Sequence, residues 1–161
     1  MPLTTRIDIP AATRKKAIAL LNQNLADAID LGLQAKQAHW NVKGPSFIAL
    51  HELFDKVAES AEEAIDEIAE RITALGGVAE GTVQVVAKKS RLDAYPLDIS
   101  AGRDHVNKLA DAIAAVGKNA RAAIDESDKL GDKDTADLFT GISRELDKYL
   151  WFVEAHVQAS E

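Results

Sequence analysis

Along nearly the whole chain, apolar residues return every three or four positions, and they do so in four separate stretches. A chain patterned this way buries its apolar stripes by packing amphipathic helices on one another. Ile18, Leu21, Leu25, Ile29 and Leu33 mark the first stripe. Pro10 stands where a first-turn proline is tolerated, so this helix should run from about Pro10 to the region of His39. Gly44-Pro45 breaks the pattern. The second stripe is Phe47, Leu50, Phe54, Val57, Ala61, Ile65, Ile68 and Ile72, closed by Gly76-Gly77. The third is Val106, Leu109, Ile113, Val116, Ala120 and Ile124, closed by Gly131. The fourth is Leu138, Ile142, Leu146, Leu150, Val153 and Val157.

The three connections differ. The first and third are short, so each joins antiparallel neighbours. The middle one, roughly Gly76 to Gly102, is too long for a tight turn. It carries Val83, Val85, Val86, Leu92, Tyr95 and Leu97, enough apolar content to be ordered and to hold a short extra helix. The predicted fold is therefore all-α: a four-helix bundle with one long crossover, the ferritin-like topology rather than a simple up-down bundle.

The 161 residues suit one domain with one core, over 1–161 with a short N-terminal tail 1–9. No cysteine is present, which removes disulfides, thiolate metal sites and cysteine nucleophiles. The opening Met1-Pro2-Leu3-Thr4-Thr5-Arg6 has no apolar run behind its charge and does not read as a secretory signal. Nor does any apolar run reach the length of about 18 residues that spans a bilayer. A soluble, cytoplasmic protein is expected. The net charge of −7 repels nucleic-acid phosphates and attracts cations.

Four polar residues of the second helix stand out: His51, Asp55, Asp66 and Glu70. Taking about 100° per residue, the last three fall at roughly 40°, 60° and 100° from His51, on one stripe beside the apolar one. His39 joins His51 and Asp55 if the chain folds back at Gly44-Pro45. Fifteen residues separate His51 from Asp66, about 22 Å of helix at 1.5 Å per residue, too far for one metal ion. Either the two groups are unrelated, or they meet between chains: a two-fold dimer with antiparallel second helices makes two identical sites. Imidazole with hard carboxylate oxygens and no sulfur suits iron(II), manganese or zinc. Carboxylates favour iron(III) over iron(II), so such a site promotes oxidation of bound iron. Glu-x-x-His, the mark of an in-bundle di-iron centre, is absent: Lys36, Ile48, Gly102 and Val153 stand three residues before the four histidines. Taken singly, a His–Asp pair four apart is most often a solvated surface pair, and Glu59, Glu62, Glu63 and Glu67 make this helix acid-rich in general.

The stretch His39-Trp40-Asn41-Val42-Lys43-Gly44-Pro45, followed by Phe47, Leu50, His51, Phe54 and Asp55, resembles the signature of the Dps family of mini-ferritins, the DNA-protection-during-starvation proteins. Asp66, Ala69, Glu70 and Arg71 continue it at the family spacing. Thr135-Ala136-Asp137 through Asp147-Lys148, Leu150, Trp151 and Phe152 resembles the family's last helix. The resemblance covers nearly the whole chain. It implies a hollow dodecamer, built from two-fold dimers, that oxidises iron(II), preferably with hydrogen peroxide, and stores ferric mineral to protect the cell from oxidative damage. It implies iron ligands His39, His51 and Asp55 from one subunit, with Asp66 and Glu70 from its partner.

Further roles follow from the same resemblance, each beside a plainer reading. Trp40 is placed near the iron site, where it would intercept oxidising equivalents; alternatively it is an amphipathic anchor at the dimer boundary. Asp128, Asp132 and Asp137 are placed at acidic three-fold pores that admit iron by field focusing; alternatively they cap and turn the chain before the last helix. The family name suggests a competing function, DNA binding and compaction with nucleoid association. The basic residues that precede or open the first helix are few, Arg6, Arg14, Lys15 and Lys16, and a shell of −7 subunits repels DNA.

Overall fold

The computed structural model describes residues 4–159. The first three residues of the expected tail and the last two of the expected domain lie outside the described residues. Helix α1 is Ala11–Asn41, α2 Phe47–Ala74, α3 Val83–Lys89, α4 Gly102–Leu130 and α5 Lys133–Glu154. α1 packs chiefly on α2, and α4 on α5. Each pair is a hairpin, turned at Val42–Ser46 and at Gly131–Asp132. Gly44 takes a φ of 118° in the first turn, a conformation closed to most L-residues.

Two contacts at opposite ends of α1 show how the hairpins are joined. Arg14, in the first turn of α1, donates to the Leu75 carbonyl at 3.0 Å. Beyond the other end, Lys43 N–H donates to Ser100 O at 2.8 Å and Gly102 N–H to Lys43 O at 3.2 Å. Residues 75–101 therefore travel the full length of the bundle, and α4 starts at the end where α2 starts. This is the long crossover of the ferritin-like topology, with α3 as its short helix. Gly102 lets the end of the crossover sit against α2: a Cβ there would lie 2.7 Å from Leu50 Cδ1.

A polar stripe on α1 holds the crossover down. Asn22 donates to Val78 O and accepts from Glu80 N–H, at 3.0 and 2.9 Å. Asp27, fully buried, accepts from Arg91 N–H at 2.9 Å and from the Arg91 guanidinium at 2.5 and 2.9 Å. Asp30 accepts from Ser90 Oγ at 2.5 Å, and Gln34 donates to Asp93 O at 3.0 Å. These side chains satisfy backbone groups that have no ladder of their own.

The core is built from Leu21, Leu25 and Leu31 of α1, Phe54, Ile68 and Ile72 of α2, Leu109 and Ile113 of α4, and Phe139 of α5. Three residues of the expected stripes fall elsewhere. Leu33 is 54% exposed, because two successive steps of four from Leu25 turn the stripe by about 80° away from the core. Leu31, Ala35 and Ala38 fill the inner face instead. Phe47 is exposed at the start of α2, and Val157 lies past the end of α5 at Glu154.

Candidate metal centre

The turn at Gly44-Pro45 sets the end of α1 against the first turns of α2, and two histidines meet there. Their rings stack with centroids 3.7 Å apart and planes 19° from parallel. His39 Nδ1 lies 2.6 Å from the carbonyl oxygen of His51, and His51 Nδ1 lies 2.7 Å from that of His39. A carbonyl oxygen only accepts, so both Nδ1 atoms carry hydrogen. In the neutral ring the lone pair is then on Nε2 in both residues, the form in which imidazole binds a metal.

The chain supplies those carbonyls for a reason. His39 stands in the last turn of α1, where a carbonyl has no donor four residues on. Lys43 N–H, which a longer helix would offer it, is spent on Ser100 O. His51 fills the gap, so one contact caps the helix and fixes a tautomer.

Asp55, one turn beyond His51, is partly exposed and ion-paired with Lys36 Nζ. The hydrogen bond from Lys36 holds the Asp55 carboxyl below the usual carboxylate range; partial burial opposes this, and the His39 and His51 rings add to the pull. Lys36 was not read from the sequence as part of the site. The signal was present, since it stands one turn before His39 on the helix that packs against α2. Trp40 is 68% exposed beside this cluster.

Asp66 and Glu70 are exposed farther along α2, an unbroken helix from Phe47 to Ala74. The structure thus brings the His39 and His51 rings together, sets Asp55 one turn beyond His51 in a pair with Lys36, and leaves Asp66 and Glu70 apart from them. Among the described residues of a single chain, no group of three or more His, Asp or Glu side chains could hold a metal ion. Glu70 lines a shallow surface groove with Arg71, Asp134, Asp137 and Gly141. An added Cβ on Gly141 meets nothing within 4 Å.

The three aspartates before α5 separate. Asp132 is 1% exposed and is the N-cap of α5. Its Oδ1 accepts from Arg71 at 2.7 Å and from Thr135 N–H at 3.1 Å, and its Oδ2 accepts from Thr135 Oγ1 at 2.6 Å. Both oxygens are engaged inside the subunit, so Asp132 takes the cap reading and not the pore reading. Asp128 is exposed and paired with Lys133, and Asp137 is exposed. Of the basic residues counted for DNA, Arg14, Lys15 and Lys16 lie on α1. Arg14 is turned inward onto Ile9 O and Leu75 O.

The comparisons agree with this architecture. The family model described as ferritin-like domain matches residues 18–161. The DNA protection during starvation protein of Agrobacterium fabrum is 49% identical over 96% of this chain and 95% of its own length. The chain belongs to the Dps family. Among solved Dps structures, that of Mycobacterium smegmatis in its tetragonal form is 32% identical with a TM-score of 0.93, covering 99% of this chain and 96% of that one. The Dps of Microbacterium arborescens in its high iron form is 34% identical with a TM-score of 0.87, covering 98% and 100%. The all-helical bundle with one crossover is the fold of this Dps chain as it is of theirs.

Proposed function

We propose that this Dps protein oxidises iron(II), preferably with hydrogen peroxide, and stores the ferric product inside a hollow dodecamer in the cytoplasm, protecting the cell from oxidative damage. The observation that carries the reading is the reciprocal His39–His51 contact, which leaves the Nε2 lone pair of each ring free for a metal, with Asp55 one helical turn beyond His51. The high-iron form of the Microbacterium arborescens relative supports iron as the ion.

Each site takes His39, His51 and Asp55 from one chain, and Asp66 and Glu70 of the partner subunit across a two-fold axis. The carboxylates compensate the third charge of iron(III), so electron loss is favoured once iron is bound. Trp40 lies next to the site as a sink for stray oxidising equivalents. Asp128 and Asp137 line the entry pore.

A stopped-flow comparison of iron(II) oxidation by peroxide and by oxygen, with the particle mass measured on the same sample, tests the reading. Peroxide should be the faster oxidant, and the particle should be a dodecamer. A protein no faster than free iron(II) in buffer would overturn it. DNA compaction is the competing function, and the inward turn of Arg14 removes one of its few cations.

A further inference from the structure

One pair of titratable side chains has no part in the metal centre. Tyr95, in the crossover, and His105, in the first turns of α4, have their hydroxyl oxygen and Nδ1 2.7 Å apart. Their rings stack with centroids 5.9 Å apart. His105 is 1% exposed, and its Nε2 is buried with no hydrogen-bond partner. Tyr95 has no other acceptor for its hydroxyl hydrogen among the hydrogen bonds of the described residues; in the tautomer that carries its hydrogen on Nε2, the phenol donates and Nδ1 accepts. Burial lowers the affinity of the imidazole for a proton, which keeps the ring neutral and one of its nitrogens a base. Burial also pushes the Tyr95 phenol well above its usual value, so the phenolate is out of reach.

A phenol in this position loses an electron readily only if its proton leaves at the same time, and a base at hydrogen-bond distance makes that possible. A short path of backbone contacts links the pair to the metal centre. His105 is three residues into α4 from Gly102, which bonds Lys43, and His39 is four residues before Lys43. Adding these legs puts the two backbones within roughly 20 Å of each other.

We propose that Tyr95 and His105 form a redox-active pair that quenches one-electron oxidants. The electron leaves Tyr95, its O–H bond breaks, and an N–H bond forms at His105 Nδ1. The oxidant is a hydroxyl radical, reduced to hydroxide, or an oxidised tryptophan, restored to tryptophan. Iron(II) then returns an electron, becoming iron(III), and the proton goes back from Nδ1 to the phenolic oxygen. Burial and Lys43 oppose the protonated ring while Asp104 favours it, so the imidazolium forms transiently and the step reverses. The proposal rests on the iron-oxidase reading only for the natural source of the oxidant, the one-electron reduction of peroxide by iron(II).

Pulse radiolysis with azide radicals tests it on the whole protein without iron. Azide radicals oxidise the exposed Trp40 and Trp151, and the expected sequel is decay of the tryptophanyl signal with growth of a tyrosyl one. The tyrosyl signal should persist in Tyr149→Phe and be lost in Tyr95→Phe, the chain having these two tyrosines. In His105→Gln, which keeps an acceptor but no base, it should grow more slowly, and the solvent deuterium isotope effect of the native protein should fall. A tyrosyl signal unchanged in Tyr95→Phe, or absent from the native protein, overturns the proposal. A tyrosyl signal unaffected by His105→Gln overturns the role of His105. A second arm with iron(II) and peroxide shares the variants. If it alone is silent, the iron-oxidase reading has failed and the pair has not.

Discussion

His39 and His51 each donate from Nδ1 to the backbone carbonyl of the other, at 2.6 and 2.7 Å. Sequence spacing alone would place two imidazoles near each other. The reciprocal bonds go further and decide which nitrogen of each ring is left for a metal. They also tie the ligand to the fold, because the His39 carbonyl at the α1 terminus has no helical donor.

Replacing His51 by alanine should therefore act twice. Iron(II) oxidation should fall sharply because a ligand is gone. Stability should drop by about 1–3 kcal/mol, the usual cost of a part-buried acceptor left unpaired. Thermal unfolding beside stopped-flow oxidation separates the effects: Asp55→Ala should lose activity without that stability loss, since its partner Lys36 is half exposed and regains water. Equal destabilisation by both variants would refute the capping role.

Lys36 sets a second expectation. Its ammonium occupies the Asp55 carboxylate that a cation would take. Lys36→Met removes the competitor and keeps most of the stem, so cobalt(II), a spectroscopic stand-in for iron(II), should bind more tightly. Titration by visible absorption reads this directly, and unchanged or weaker affinity would show that Lys36 is not a competitor.

The bundle, its crossover and the cluster of His39, His51 and Asp55 were legible in the sequence because each rests on local pattern: periodicity, Gly-Pro punctuation and i,i+4 spacing. What was not legible depends on pairing between segments far apart in the chain. Asn22, Asp27, Asp30 and Gln34 look like a solvent face on α1, yet their partners lie 56 to 64 residues on. Asp132 looks like Asp128 and Asp137 in sequence. Its cap to Thr135 is local, but the partner that takes it out of solvent is Arg71, 61 residues earlier. Leu33 was misplaced for a simpler reason, the drift of a four-residue step around a helix of 3.6 residues per turn.

The Arg71–Asp132 pair should be costly to break from one side. Asp132→Ala leaves the guanidinium, 14% exposed, without its carboxylate and removes the α5 cap, so a loss of about 3–5 kcal/mol is expected. The Arg71→Met, Asp132→Ala double variant should recover part of it. Thermal or urea unfolding checks both, and additive losses in the double variant would mean that the two side chains do not act as a pair.

Stability should also fall in mild acid through His105. Burial holds this imidazole below its usual value of 6.5, so the folded chain binds its proton less well than the unfolded chain. Below about pH 6.5 the unfolded state gains protons that the folded state refuses. Stability contributed by the neutral ring is full above that pH and is lost as pH falls toward the folded value. The difference in unfolding midpoint between the native protein and His105→Gln should therefore change across this window and stay constant above it. A difference independent of pH would show that His105 does not carry the effect.

The assignment of Asp66 and Glu70 to the neighbouring chain can be settled by mixing. Call one variant His51→Ala with Asp55→Ala, and the other Asp66→Ala with Glu70→Ala. If every site combines the first set from one chain with the second set from another, each variant alone assembles with no intact site. In a mixed dimer one site then carries all four substitutions and the other carries none, as a two-fold arrangement requires. Random pairing of equal amounts makes half of the dimers mixed, so about a quarter of the native peroxide-driven oxidation should return. Co-expression or refolding from a common denatured pool should produce it, and mixing the assembled particles should not. If the two carboxylates served their own chain, the substitutions would act independently and the mixture would never exceed the average of its parts. Activity above that average, arising from two inactive proteins, is the signature that separates a shared site from a private one.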